Sequence, residues 1–383
     1  MNKSAEILQN LIRIYEKSDL KASSGKIYGK YNFYISGESS KKINNYLIDG
    51  IPSILMSTGG SAHIHFDDGR FSYSTDTLAF TSSNTLETMY LYYLLSANKN
   101  KISNTYFQGS GLEHLNRRYF FNSKVLIHNN LEDQKRIAQK LLKIDNLILS
   151  IENLHKKSKF VYLALLNQLM PSEAELVKNL QTSDDSFLID SIKSLASVVG
   201  SGSTPKGGDK NYKKKGVPFI RSGDVKNGFL DKSEIKFIDL NTHKQMINSE
   251  VILDDVLLNI TGASIGRSAV NTIYKSANVN QHVMRIRAGN KIYPSYLSYY
   301  LSSKYGQDQI MSYEAGGSKE GLDKKNTEDI KIIYPENKAT QKQIIEKLEY
   351  SLQNINNLNS LLKKTKNIKF SLLDETFKDT LIE

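Results

Sequence analysis

The chain has 383 residues, 51 Lys and Arg against 40 Asp and Glu, a formal net charge of +11 and no cysteine. Disulfides, thiolate zinc sites and cysteine nucleophiles are therefore excluded, and the basic balance favours a polyanionic partner. An apolar share of 39%, with 22 Tyr and 14 Phe, suffices for packed cores; no run is long enough to span a bilayer, and the opening residues do not resemble a signal peptide, so an ordered cytoplasmic protein without a membrane partner is expected.

In chain order, Ile7, Leu8, Leu11, Ile12 and Tyr15 recur at helical spacing, which predicts a short amphipathic helix over residues 5–17. A Ser-, Gly- and Lys-rich loop follows at 21–30, then strands at 31–36 and 53–57. Strands at 63–66 and 71–73 flank Asp67-Asp68-Gly69-Arg70, which reads as a hairpin turn. Residues 88–97 return to helical spacing, 107–115 form a Gly/Ser loop, 124–128 a strand, and a long helix begins near residue 131. The second half repeats this order. It has a helical connector at 171–199, a Gly/Lys loop at 201–215, strands at 217–222, 256–260 and 283–287, and a Tyr-rich helix at 293–303. A Gly/Ser loop at 313–322, a strand at 330–334 and a second long helix complete it.

Residues 134–170 and 341–377 align without a gap at an offset of 207 (341 − 134), with identities that include Gln134/Gln341, Ile137/Ile344, Leu141/Leu348, Ile148/Ile355 and Leu154/Leu361. Background composition would give roughly two or three matches over that length, so this is an internal repeat. Ile137, Leu141, Ile144, Ile148 and Ile151 step by four and three, as a coiled-coil seam does, and the second copy places Ile344, Leu348, Ile355 and Leu358 on its seam. Neither copy contains Pro or Gly. Two long helices packed as a central coiled coil, each preceded by a mixed α/β module, are expected. The modules share a scaffold, while their surface loops diverge.

Chemistry-bearing residues cluster in those loops. Lys206, Lys210, Lys213, Lys214 and Lys215 lie on a glycine-rich loop that suits phosphate contact or a merely solvated surface; no Gly-Lys-Ser/Thr closes it as a nucleotide loop would. Arg285 and Arg287 share one strand face behind Asn280, Gln281 and His282, and Arg, Asn and Gln make paired hydrogen bonds to base edges. The alternatives are phosphate contact or an acidic partner inside the module. The corresponding stretch of the first module is taken as Ser74-Thr75-Asp76. Thr58-Gly59 matches Thr261-Gly262 in turns after apolar strands, where Ser264 and Arg267 are candidates for phosphate. His63 and His65 share a strand face and are read as polar surface rather than metal ligands; the tyrosines 90, 92, 93, 296, 299 and 300 are read as core rather than stacking platforms. No two of the six prolines are adjacent, so the Asp/Asn-Pro-Pro-aromatic motif of amino-methyltransferases is absent. No catalytic constellation can be assembled, and no metal site is expected.

The ordered set Gly202-Ser-Thr-Pro205, Val217-Pro-Phe-Ile-Arg-Ser-Gly-Asp-Val225, Leu258-Asn-Ile-Thr-Gly, Asn280-Gln-His282 and Gln341-Lys-Gln-Ile344 resembles the specificity subunit of type I restriction-modification systems. Its variant in the first half runs through Tyr28-Gly-Lys-Tyr-Asn-Phe33, Ser72-Tyr-Ser-Thr-Asp76 and Gln134-Lys-Arg-Ile137, although Ser23-Ser-Gly-Lys26 departs from the Gly-Ser-Thr-Pro form. The resemblance implies an α+β protein with target recognition domains at 1–130 and 172–338. Long helices at 131–171 and 339–383 would form an antiparallel coiled coil with a pseudo-two-fold repeat. It implies a non-catalytic chain that reads two halves of a bipartite duplex DNA site. The helices would set the unread spacer and dock two methyltransferase subunits, with restriction/translocase subunits joining for cleavage. S-adenosylmethionine, ATP and Mg would then belong to those partners. The candidate DNA contacts extend to Arg221 in the second domain and to Lys26, Lys30 and Arg70 in the first. A nuclease with an unrecognised site, or a coiled-coil scaffold without a DNA role, remain the alternatives.

Overall fold

A computed structural model describes residues 2–83, 86–172, 186–205, 207–315 and 321–382, the side chains of 209, 210, 314 and 315 excepted. The chain forms two compact units, one made of Met1–Leu154 with Leu358–Glu383 and the other of His155–Asn357, so the division falls within each long helix.

In the first unit a four-stranded sheet runs in the order Ile12–Ile14, Thr77–Ser82, Ser53–Ser57, Ile64–Asp67. A second runs Lys41–Ile43, Tyr31–Tyr34, Arg70–Tyr73, Ile48–Asp49, with a parallel pair at its centre. The strand Ser53–Ser57 is buried at every position because both of its faces are covered. Ile54 and Met56 join the main core with Leu91 and Leu94 of the helix Thr88–Ala97, while Leu55 packs with Tyr34 and Phe71 of the second sheet.

The second unit repeats this plan. One sheet runs Ala196–Ser201, Val283–Ala288, Val256–Asn259, Ser268–Val270, the other Lys236–Ile238, Val217–Ile220, Ala277–Val279, Glu250–Val251. Val256 and Leu258 face the core below the helix Pro294–Ser302, and Leu257 faces the second sheet through Ile220 and Val279.

Four sequence expectations are corrected. Residues 5–17 form no helix: Lys3–Ile7 pairs with Lys124–His128, and Ile12–Ile14 pairs with Thr77–Ser82. Between them a single 3-10 turn buries Leu8 and Leu11, and that one turn produced the helical spacing. The segment 67–70 is not a hairpin, because Ile64–Asp67 and Arg70–Tyr73 belong to different sheets. The Asp67 carboxylate ties the crossing: it accepts from Gly69 N–H at 2.8 Å and from Asn32 and the Tyr34 hydroxyl, both at 2.8 Å. The supposed helical connector at 171–199 instead carries the strand Phe187–Ser191, one helical turn and the strand Ala196–Ser201, with 173–185 outside the described residues. The supposed loop at 313–322 begins inside the helix Lys304–Ala315, which packs Ile310 into the core.

The long helices are Leu131–Leu169, 39 residues, and Lys338–Phe377, 40 residues. In the first unit Asp145 pairs with Lys369 at 2.5 Å and Glu152 with Lys366 at 2.7 Å, so the two helical segments run antiparallel. Ala138, Leu141 and Phe377 are buried there, with Ile137, Leu372 and Leu373 packed against them. In the second unit Leu165 and Leu166 pack with Ile344, Ile345 and Leu348. Along the expected seam Leu141, Ile151, Ile344, Leu348 and Ile355 are buried and Ile137, Ile144, Ile148 and Leu358 half-buried.

Each helix is fastened at its start by a buried glutamine. Gln134 Nε2 donates to the His128 carbonyl at 2.8 Å, and its Oε1 accepts from Glu87 N–H at 3.0 Å. Gln341 Nε2 donates to the Pro335 and Lys291 carbonyls at 2.8 and 2.9 Å, and its Oε1 accepts from Tyr293 N–H at 3.0 Å. The side-chain amide has donors and acceptor enough to satisfy backbone groups of two neighbouring segments at once, which an apolar residue could not do. Among the described residues no helix is long and apolar enough to cross a membrane.

Candidate nucleic-acid interface

In the second unit the fold gathers loops that are far apart in sequence. Ser203 N–H donates to the Val279 carbonyl and Gly202 N–H to the Val283 carbonyl, both at 3.2 Å, and the Thr204 hydroxyl donates to Gln281 Oε1. Beside them, the Thr261 hydroxyl and His282 Nδ1 are 2.6 Å apart, and Leu322 N–H donates to the Ile260 carbonyl. The segments 202–204, 260–262 and 279–282 thus form one polar edge. Gln281 is exposed there, and Ser264 and Arg267 are half-buried on the adjoining turn. Thr204 and His282 join this edge as polar groups that spacing alone did not single out.

Lys213, Lys214 and Lys215 are exposed, and no ion pair engages them among the described residues. Lys206 lies outside the described residues, as does the side chain of Lys210. Arg221 is held within the unit: its guanidinium reaches the buried Asp224 at 3.3 Å and the Glu234 carbonyl at 3.2 Å. In the first unit Lys26 and Lys30 are exposed, whereas Arg70 pairs with Asp49 at 2.7 Å and lies over the Tyr46 ring.

Arg285 and Arg287 do share a face, but that face is the one covered by the second sheet. Val283 points there too, while Met284 and Ile286 point to the helix side. Arg287 donates from Nε and Nη2 to the two carboxylate oxygens of the fully buried Asp255, at 2.7 and 2.9 Å. The hydrogen bonds it donates to Asp255 hold the Arg287 guanidinium above its ordinary value, against the opposing effect of burial. Arg285 is 9% exposed, donates from Nη1 to the Glu250 carbonyl, and leaves Nε without a hydrogen-bond partner; burial lowers it from its ordinary value. Both are taken up inside the domain, the alternative that the alternating pattern left open. Asp255 is the partner that sequence reasoning missed.

The pairing registers refine the internal alignment. Ile54 pairs with Phe80 as Val256 pairs with Ile286, so Ser74–Asp76 match Asn280–His282, while Ala79 and Thr81 hold the places of the two arginines. By the same register Gly60 matches Gly262, both at positive φ (82° and 66°), one residue from the match read in sequence.

The tyrosine clusters are structural. Tyr90, Tyr93, Tyr296, Tyr299 and Tyr300 are buried, and burial pushes the Tyr90 hydroxyl up to about 12. His65 meets the Gly37 carbonyl at 2.9 Å and His63 the Ser61 hydroxyl at 3.3 Å; no group of three or more His, Asp or Glu able to hold a metal occurs among the described residues.

Two like-built modules with exposed lysines on their loops, each followed by one copy of a repeated long helix, define a two-module protein built on an internal repeat. The type I restriction modification DNA specificity domain matches twice, at residues 7–160 and 189–368, and the chain belongs to that family. Among curated relatives it is similar to the type I restriction enzyme StySPI specificity subunit of Salmonella potsdam, 23% identical over 151 residues, 39% of this chain and 32% of the relative. It is also similar to the EcoBI specificity subunit of Escherichia coli, 26% identical over 173 residues, 44% of this chain and 36% of the relative. These matches span about a third of the relatives' length. Among solved structures, the type I restriction-modification S subunit from M. genitalium shares the fold with a TM-score of 0.66 at 17% identity, covering 99% of this chain and 96% of that one. A chain from a structure of the assembly and conformational transition of the type I system gives 0.57 at 13% identity, covering 99% and 98%.

Proposed function

We propose that this chain is the DNA-sequence specificity subunit of a type I restriction-modification complex and contributes no chemistry of its own. Each unit reads one half of a bipartite duplex site, and the paired long helices set the unread spacer. The observation that carries this reading is the double family match on an internal repeat whose scaffolds agree and whose exposed loops differ. A shared frame with different loop chemistry suits two different half-sites. Salt-dependent binding through the exposed lysines supplies the sequence-independent part of affinity.

The helices also dock two copies of a methyltransferase subunit. Leu154 and Leu361, Val161 and Ile368, and Leu163 and Phe370 are repeat-equivalent, and each is at least 46% exposed. Apolar residues recurring at equivalent positions on two repeated helices suit two copies of one partner. S-adenosylmethionine is then held by those subunits, and ATP and Mg²⁺ belong with the partners that complete the complex, including restriction/translocase subunits. The complex works in the cytoplasm, where the chromosome lies.

Methylation mapping in cells carrying the complete system tests the reading. A bipartite motif with a fixed gap is expected. Inserting one heptad into both helices keeps the seam in register and adds about 10 Å, about three base pairs of duplex. The half-sites should stay the same and the gap should lengthen. Unaltered methylation of the original spacing would refute the ruler.

A further inference from the structure

The two units carry the same four-residue tip with opposite chemistry. In the first, Lys26 pairs with Lys42 by two backbone hydrogen bonds of 2.8 and 2.9 Å, one residue before the pairing of Tyr31 with Ile43. In the second, Lys213 bridges to Phe237, one residue before the pairing of Val217 with Ile238. Lys26 and Lys213 therefore hold the same place. Three residues on, Gly29 and Gly216 press on the same edge-strand position, with Lys30 one extra residue before the first unit's strand: a Cβ on Gly29 would lie 2.7 Å from the Ile43 nitrogen, and one on Gly216 would collide with the Ile238 carbonyl. Both tips read Lys-x-x-Gly, clamped at each end by the same edge strand. The two free positions are Ile27 and Tyr28 in the first unit, and Lys214 and Lys215 in the second.

Ile27 and Tyr28 are each 85% exposed, the highest values among the large apolar side chains of the described residues. They stand between the exposed Lys26 and Lys30. An apolar pair placed fully in water costs solubility and gains nothing within the fold, and its cationic flanks disfavour a greasy protein partner while favouring a polyanion. Nucleic-acid grooves supply an apolar target behind a phosphate barrier, in thymine methyl groups and base steps.

On the reading of the chain as a DNA specificity subunit, we propose that Ile27 and Tyr28 form a groove-inserting wedge that helps to read the first unit's half-site, while Lys214 and Lys215 at the equivalent tip grip phosphate. One unit adds sequence discrimination at its tip and the other adds affinity.

The test uses the full chain and duplexes carrying the mapped motif, with either half-site or both scrambled, across a salt series. Ile27→Ala with Tyr28→Ala should lose about tenfold or more on duplexes that keep one particular half-site, with little change where that half-site is scrambled. Lys214→Ala with Lys215→Ala should weaken binding to every duplex and reduce the salt slope by about two. Ile27→Lys with Tyr28→Lys should raise the slope by about two and lose the same share of half-site preference as the alanine pair. No loss, or equal loss on all duplexes, for the alanine pair would overturn the wedge. A parent chain without salt-dependent duplex binding would overturn the specificity-subunit reading along with it, so the two failures are told apart.

Discussion

Asp255 sits at zero exposure with its carboxylate met by Arg287 Nε and Nη2 and by the Ile252 N–H at 2.9 Å. A buried ion pair adds little net stability, but removing one partner strands the other charge. Arg287→Ala should therefore destabilise the protein by about 3–5 kcal/mol in denaturant titrations. Any loss of DNA affinity should be equal on cognate and random duplexes, because Asp255 holds the side chain inside the unit. A different carboxylate gives a pH signature. The Tyr334 hydroxyl, assisted by Lys291 and Ser194, holds Asp190 below its ordinary range against the opposing effect of burial. A depressed folded value stabilises above the unfolded value, and that stabilisation is lost as the pH falls through the folded one. Asp190→Asn should thus be less stable than the parent at neutral pH, and the two should converge below about pH 4. Thermal melts across pH check this, and a constant gap down to acid would count against it.

At the scale of elements, the seam and its fastening separate cleanly from the exposed face of the same helices. Leu348 is fully buried, so Leu348→Ala should cost about 2–5 kcal/mol; Leu361, 46% exposed, should cost no more than about 0.5 kcal/mol. Gln134 and Gln341, 1% and 0% exposed, each serve backbone groups of two segments. Either change to Ala should cost about 1–3 kcal/mol for the polar groups left unpaired, measured by denaturant unfolding, and a smaller penalty for both would show that water replaces the amide. These residues were legible as a repeat because an ungapped heptad pattern is a local property of the chain. The face of Val283–Ala288 was not, since alternation shows which side chains share a face but not whether a second sheet covers it. The turn at 67–70 failed for the same reason: Asp-Asp-Gly-Arg reverses the chain, but only pairing decides whether it returns to the same sheet.

For the whole molecule, the first unit is assembled from both ends of the chain. Leu381–Ile382 pairs with Lys124–Val125, Leu126 N–H donates to the Thr380 carbonyl at 2.7 Å, and Asn98 Nδ2 donates to Thr380 Oγ1 at 3.2 Å. Removing 380–383 should accelerate amide hydrogen exchange in Lys124–His128 while leaving Lys331–Pro335 in the second unit unchanged. Equal acceleration in both strands would argue against separate units. Periodicity, the repeat and the divergence of its loops were written in the residues, since each depends on neighbours along the chain; they sufficed for two modules, two long helices and loops with exposed lysines. The fate of individual polar side chains depended on neighbours brought in from elsewhere. Asp255 claims Arg287, 32 residues away in the chain, and an edge strand clamps the tips that leave Ile27 and Tyr28 in water. Charge and polarity mark which residues can meet a partner, but burial decides which are still available to do so, and burial is set only when the sheets stack.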